Sequence, residues 1–172
     1  AVSDMEFGNN EEKSPSMFIG YPVVNRGEIM AVLIAEVSSV ELNRMMGTVV
    51  GLGQSGETYI VGDDYFFRTE SRSIKSAVLM QKAETRATER AFAGNSGTEV
   101  IQDYRGITVL SSFERLNIKG LNWAVITEID EAEIMAPKQK LINTILIVCG
   151  IIVVIMVPAT ILIGSSLSRP II

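Results

Sequence analysis

Residues 141–168 contain no charged side chain, and the strongly apolar part of that run is LINTILIVCGIIVVIMVPATILIG, residues 141–164. A helix needs about 20 apolar residues to cross about 30 Å of hydrocarbon. The run therefore predicts a single transmembrane helix with some tilt. A buried core helix is the other reading, but a chain of 172 residues is too short to wrap such a helix on all sides. Gly150 and Pro158 lie inside the run. Membrane helices tolerate both, so a mild kink is expected at the proline.

Charge falls almost entirely before this run. The first 140 residues hold all 20 acidic residues and 14 basic ones, and only Arg169 is charged after Lys140. That balance describes an acidic, water-facing domain. It argues against nucleic acid, whose phosphates need a cationic face. The chain has no histidine, and its one cysteine, Cys149, sits in the apolar run. No intrachain disulfide can form, and the commonest metal ligand and general base are missing. Asp63-Asp64 and Glu131 with Glu133 are carboxylate pairs without metal-ligand spacing, so they read as a turn and as helix-start charge. No catalytic residue, metal or cofactor is expected. Residues 1–30 show no basic start followed by an apolar core, so an export signal or an earlier membrane helix is expected upstream.

Ahead of the span the apolar pattern is that of strands. Residues 17–24 and 29–37 flank Asn25-Arg26-Gly27-Glu28, which predicts a β-hairpin. Ser38 and Glu41 have capping-box spacing for a short helix that Gly47 would end. Gly51, Gly53 and Gly56 match GxGxxG, but a dinucleotide site needs a helix next, and Glu57-Thr58-Tyr59-Ile60-Val61 is strand-like. The predicted elements then run as strand 57–61, strand 65–69, helix 74–92, and strands 98–104, 108–113 and 122–128. Asp130 is expected to open the last helix with Glu133 as its capping partner, and that helix runs on into the span. The fold class is therefore α+β: a five-stranded antiparallel sheet with a flanking helix, PAS-like in order, followed by one transmembrane helix.

Several segments, in this order, resemble the periplasmic double-Cache sensor domain of bacterial transmembrane receptors. They are Phe18-Ile19-Gly20-Tyr21-Pro22-Val23-Val24, Gly53-Gln54-Ser55-Gly56-Glu57-Thr58-Tyr59-Ile60-Val61-Gly62, Arg68-Thr69-Glu70-Ser71-Arg72, Gly120-Leu121-Asn122-Trp123-Ala124-Val125 and Glu128-Ile129-Asp130-Glu131-Ala132. Leu167-Ser168-Arg169-Pro170-Ile171, just after the span, is similar to the start of a HAMP linker. The resemblance implies five parts. Residues 1–46 are the closing part of a membrane-distal Cache module, and 47–130 are the membrane-proximal module. Residues 131–140 are a juxtamembrane helix, 141–165 the transmembrane helix, and 166–172 the start of HAMP. It also implies a homodimeric methyl-accepting chemotaxis receptor, not an enzyme itself, in the bacterial cell membrane. Residues 1–140 would lie outside and the C-terminus in the cytoplasm, meeting cytoplasmic signalling proteins. The same sensor on a histidine kinase or nucleotide cyclase is the alternative. Lys138 and Lys140 against Arg169 point weakly to the opposite orientation, so the HAMP-like end sets it.

For a small ligand of the amino acid or organic acid class, the candidate contacts are Tyr59, Arg68, Ser71, Arg72, Asp103 and Tyr104. The guanidiniums of Arg68 and Arg72 can fork onto a carboxylate, and the tyrosines offer an aromatic wall with a hydroxyl. The competing reading has the arginines pairing with Glu70, Asp63 or Asp64 and fixing the loop. Trp123 reads as core, since an indole buries a large apolar area.

Overall fold

The structure, a computed structural model, describes residues 1–7, 14–47 and 50–167. It divides into two compact units, Ala1–Glu133 and a second that starts at Ile134.

The first unit carries two sheets. Strands β1 (Glu6–Phe7), β2 (Pro15–Asn25) and β3 (Glu28–Ser38) form an antiparallel sheet in the order β1-β2-β3. The β2–β3 hairpin turns on two residues, with Asn25 paired to Glu28 and both Arg26 (φ 50°) and Gly27 (φ 88°) left-handed. That is the type I′ geometry whose twist matches the strands it joins. The hairpin buries its base through Ser16 and Met17, while Tyr21, Ile29, Met30, Leu33 and Ile34 along its length are exposed. Helix α1 (Ser39–Met46) follows as expected, but Ser38 makes no side-chain capping bond. Glu41 pairs instead with Arg44, three residues on.

The second sheet is four-stranded and antiparallel, in the order β4-β7-β6-β5. Its strands are β4 (Glu57–Gly62), β5 (Gly97–Gln102), β6 (Thr108–Arg115) and β7 (Trp123–Asp130). A strand thus follows Gly56, which leaves the glycine motif without the helix a dinucleotide needs. Successive side chains on a strand alternate faces. Tyr59 and Val61 of β4, Ala124 and Ile126 of β7, Val109 and Phe113 of β6 and Ile101 of β5 share the inner face. There they pack against Phe67 and against Ala87 and Ala91 of helix α2 (Arg86–Phe92). Ile60 and Trp123 face the other way and bury with Met5, Met17, Val78 and Leu121. Trp123 is thus a core residue on the outer face.

Two expectations are corrected. The sheet has four strands, not five: the segment expected as a strand over 65–69 forms only isolated pairings, Val61 with Phe67 and Phe66 with Lys82. The ladder stops at both ends of the segment. Tyr65 is left-handed (φ 66°), and the Thr69 hydroxyl, not a backbone carbonyl, accepts the Ile60 N–H at 2.9 Å. The helix expected over 74–92 is confined to its last turns, Arg86–Phe92. Ser76 and Leu79, each with φ 57°, break any earlier helix. The backbone there serves residues 65–67 instead, with Phe67 N–H donating to Gln81, Leu79 N–H to Phe67 and Ala83 N–H to Tyr65. The helix is capped where the chain turns in, by reciprocal bonds between Thr85 and Thr88.

Helix α3 (Glu131–Leu167) starts directly at the end of β7. Glu133 does not cap the Asp130 N–H, which donates to Ser55 Oγ at 3.1 Å. Helix α3 runs across the boundary between the units at Ile134. It has 37 residues in all with Pro137 and Pro158 inside, about 55 Å of helix at 1.5 Å per residue. Glu131–Gly164 is long and apolar enough to cross a membrane. The HAMP-like residues 168–172 lie outside the described residues.

Candidate functional site

The inner face of the four-stranded sheet is mostly apolar, and one polar row crosses it, ending at Glu99 of β5, which pairs with Ser111. Glu57 of β4 is paired directly with Glu128 of β7, and Glu128 with Ser111 of β6. Two acids and a hydroxyl therefore stand side by side beneath the segment that carries Ser71. Glu57 is 2% exposed and Glu128 1%. Carboxylates taken that far from water need donors, and both have them. Glu57 Oε1 accepts from the Tyr104 hydroxyl at 2.6 Å. Its Oε2 accepts from Ser71 Oγ at 2.8 Å and from the Arg72 N–H at 2.9 Å. Glu128 accepts from Tyr59 at 3.0 Å and from Ser111 at 2.9 Å.

The electrostatics follow from this burial. Loss of solvent pushes the Glu128 carboxyl up to about 7, and the nearby charges of Asp103 and Glu57 push the same way against the bonds from Ser111 and Tyr59. Burial and the Glu128 charge drive the Tyr59 hydroxyl far above its usual range. Tyr104 is raised as well, by burial and by its bond to Glu57. Both phenols therefore stay protonated and act as donors. The aromatic rings are tightly ordered: Tyr59 stacks on Phe67 with centroids 4.5 Å apart, and Tyr104 meets both rings edge-on.

Beside Glu57 a cavity of about 200 Å³ opens, lined by the end of α1 at Asn43, Met46 and Gly47 together with Glu57, Thr58, Glu70, Ser71 and Arg72. α1 is fixed to its far wall where Asn43 accepts the Glu70 N–H at 2.6 Å. The Arg72 guanidinium, at the surface, donates to the carbonyls of Gly53 and Gly56 at 3.2 and 2.9 Å.

Of the six residues expected at a site, the structure brings Tyr59, Ser71, Arg72 and Tyr104 around the two acids. Asp103 sits at the edge of this group. Its carboxylate ties the β5–β6 turn by accepting the N–H groups of Arg105 and Ile107. Arg105 then spans Asp103, Ser73 and Asp130. Hydrogen bonds and charge from Asp103 and Asp130 outweigh burial and raise the Arg105 pKa. Arg68 lies elsewhere. Its guanidinium packs over Gly62, which pairs with Trp123, so it occupies the face opposite Glu57. There it donates to Asp4, Asp64 and the Phe66 carbonyl. Asp4 also accepts the Trp123 indole N–H at 2.8 Å.

Glu57, Glu128, Ser111 and Arg105 join the site without having been singled out in the sequence. A signal for the two acids exists: counting by twos puts Glu57 in phase with Tyr59 and Val61, and Glu128 in phase with Ile126 and Ala124. A carboxylate on the apolar phase of a strand is the pattern to look for.

The same architecture occurs in solved proteins. The periplasmic sensory domain of the Campylobacter jejuni chemoreceptor Tlp1 matches with a TM-score of 0.64 and 12% identity, over 79% of this chain and 50% of that one. The ligand-binding domain of the Pseudomonas aeruginosa amino acid chemoreceptor PctB, in complex with L-Arg, matches at 0.56 and 16% identity, over 78% and 56%. The extracellular domain of a protein described as a histidine kinase, mmHK1S-Z3, matches at 0.59 and 16% identity, over 81% and 52%. The fold is that of sensory ligand-binding domains outside the cytoplasm. The chain spans about half the length of these solved domains. No protein-family model matches it, and no curated protein matches it by sequence.

Proposed function

We propose that the chain is the extracytoplasmic sensor and membrane span of a bacterial receptor of the double-Cache kind, and that it carries a small-ligand signal to a cytoplasmic output. The observation that carries this reading is the joint at Asp130, where the last strand of a sensor-type sheet becomes, without a linker, a helix whose later turns are apolar enough to span a bilayer. In this reading 1–46 close a membrane-distal module and 47–130 form the membrane-proximal one. Residues 131–140 are juxtamembrane, 141–165 cross the bilayer and 166–172 begin a HAMP linker. Residues 1–140 lie outside the cell, and the receptor works as a homodimer.

The ligand is a small amino acid or related organic acid. Two neighbours, PctB and PctC, are described in complex with L-Arg and GABA. The cavity beside Glu57 offers matching chemistry, with carboxylates of Glu57 and Glu70 for an ammonium and the Arg72 guanidinium for a carboxylate. Ser71 sets the wall between them, backed by Tyr104 through its bonds to Ser71 and Glu57, with Tyr59 and Asp103 holding the surroundings in shape, while Arg68 stays on the opposite face. A chemotaxis output is favoured because Tlp1, PctB and PctC are described as chemoreceptors, while mmHK1S-Z3 supports a kinase output as the second reading.

The test is thermal unfolding of the full chain in detergent micelles against L-amino acids, GABA and dicarboxylates. A true ligand at a hundred times its Kd stabilises by about 2.7 kcal/mol, and Arg72→Ala weakens it. A panel without a stabilising compound, or a Kd unmoved by Arg72→Ala, contradicts the assignment.

A further inference from the structure

The loop from Gly51 to Gly56 is held from two sides. From the cavity side, Arg72 donates to the Gly53 and Gly56 carbonyls. From the helix side, the Glu133 carboxylate accepts the N–H groups of Gln54 and Ser55, each at 2.8 Å, and the Ser55 hydroxyl. Ser55 Oγ in turn accepts the Asp130 N–H, the last amide before α3. The fit is close. Gly53 is left-handed (φ +64°), and a Cβ there would fall within the Glu133 carboxylate.

We infer that this loop is a clasp coupling the cavity to the first turn of α3, with Arg72 as its release on the ligand side and Glu133 as its grip on the helix. The inference deepens the sensory reading and rests on it for its purpose. A carboxylate entering the cavity competes with two neutral carbonyls for the Arg72 guanidinium, and a guanidinium–carboxylate pair, with both partners charged and bidentate geometry open to it, outweighs bonds to neutral acceptors. Once Arg72 turns to the ligand, the loop loses its anchor on that side, and the strand-to-helix joint at Asp130 loses the ordered Ser55 that holds it. Two arrangements of one loop, biased from one side, are what a switch needs.

The test is amide hydrogen exchange on the full chain in micelles, without ligand. Glu133→Gln should speed exchange at Gln54 and Ser55 on the order of tenfold, the factor expected for one lost charge-assisted bond. Arg72→Met is the companion variant: among the described residues the Arg72 side chain donates to carbonyls of this loop and to none of the reporting amides, although its charge also favours the Glu133 carboxylate. It should speed exchange at Gln54, Ser55 and Asp130. Arg72→Lys, which keeps a donor, should restore part of the protection. Combining Arg72→Met with Glu133→Gln should add less than the two single effects together. Wild-type exchange at Ser55 and Asp130 in Arg72→Met, or full additivity in the double variant, overturns the clasp. Those outcomes would leave ligand binding in the cavity intact, and a ligand screen without a hit would leave the exchange result intact, so the two failures are distinguishable.

Discussion

Glu128→Gln should remove the pH dependence of stability that the inner face contributes. The Glu128 carboxyl is raised from 4.5 to about 7 in the fold. Between those values the folded chain binds more protons than the unfolded chain, so stability falls as pH rises. The contribution is fully present below about pH 4.5 and lost by the time pH passes about 7. Each pH unit of separation carries about 1.4 kcal/mol, so the loss is on the order of 3 kcal/mol. The amide that replaces the carboxyl keeps its shape and never ionises. Its carbonyl can still accept from Tyr59, and its NH2 can donate to Ser111 Oγ. At pH 5 the variant should match the parent or fall slightly below it. At pH 8 it should be more stable by roughly 2–3 kcal/mol. Urea titrations of the full chain in micelles, followed by Trp123 fluorescence from pH 5 to pH 8, give the difference directly. A gap between variant and parent that stays constant with pH would refute the buried, donor-held acid.

Asp4→Ala leaves the Trp123 indole N–H without its acceptor and takes one of two carboxylates from the buried Arg68 guanidinium, which keeps Asp64 and the Phe66 carbonyl, and should cost about 2 kcal/mol in the same urea assay. Gly53→Ala places a methyl at a left-handed position against the Glu133 carboxylate and should cost about 1–2 kcal/mol, with raised exchange at Ser55. Val153→Arg puts a charge at the middle of the apolar run, at about 2.5–3.5 kcal/mol on insertion scales, and should move the chain out of the membrane fraction in carbonate extraction.

Much of the fold was legible because it is set locally. The turn at Arg26-Gly27 needs left-handed residues, and its glycine marks it, although Arg26 takes the same conformation without favouring it. The strand after Gly56 follows from β-branched and aromatic side chains in alternation. What could not be read was decided by distant partners. Residues 74–85 have helix-forming composition, yet at Leu79, Gln81 and Ala83 their backbone is paired with residues 65–67, a tertiary demand that outweighs propensity. Arg68 looked like a ligand contact because its partner, Asp4, lies 64 residues away. Glu133 looked like a cap until the glycine loop, 78 residues earlier at Ser55, claimed its carboxylate. The acids of the inner row left one signal, their place on the apolar phase of a strand, and no side-chain ion pair to mark them, because hydroxyls and one backbone N–H satisfy them.

The most direct measurement is sidedness in intact cells. In a Cys149→Ser background, K119C should react with a membrane-impermeant maleimide added outside, while Cys149 in the parent chain should stay unlabelled until the membrane is dissolved. Labelling of K119C only after lysis, or ready reaction of Cys149 in sealed cells, would contradict a sensor held outside the cell by a helix that crosses the bilayer.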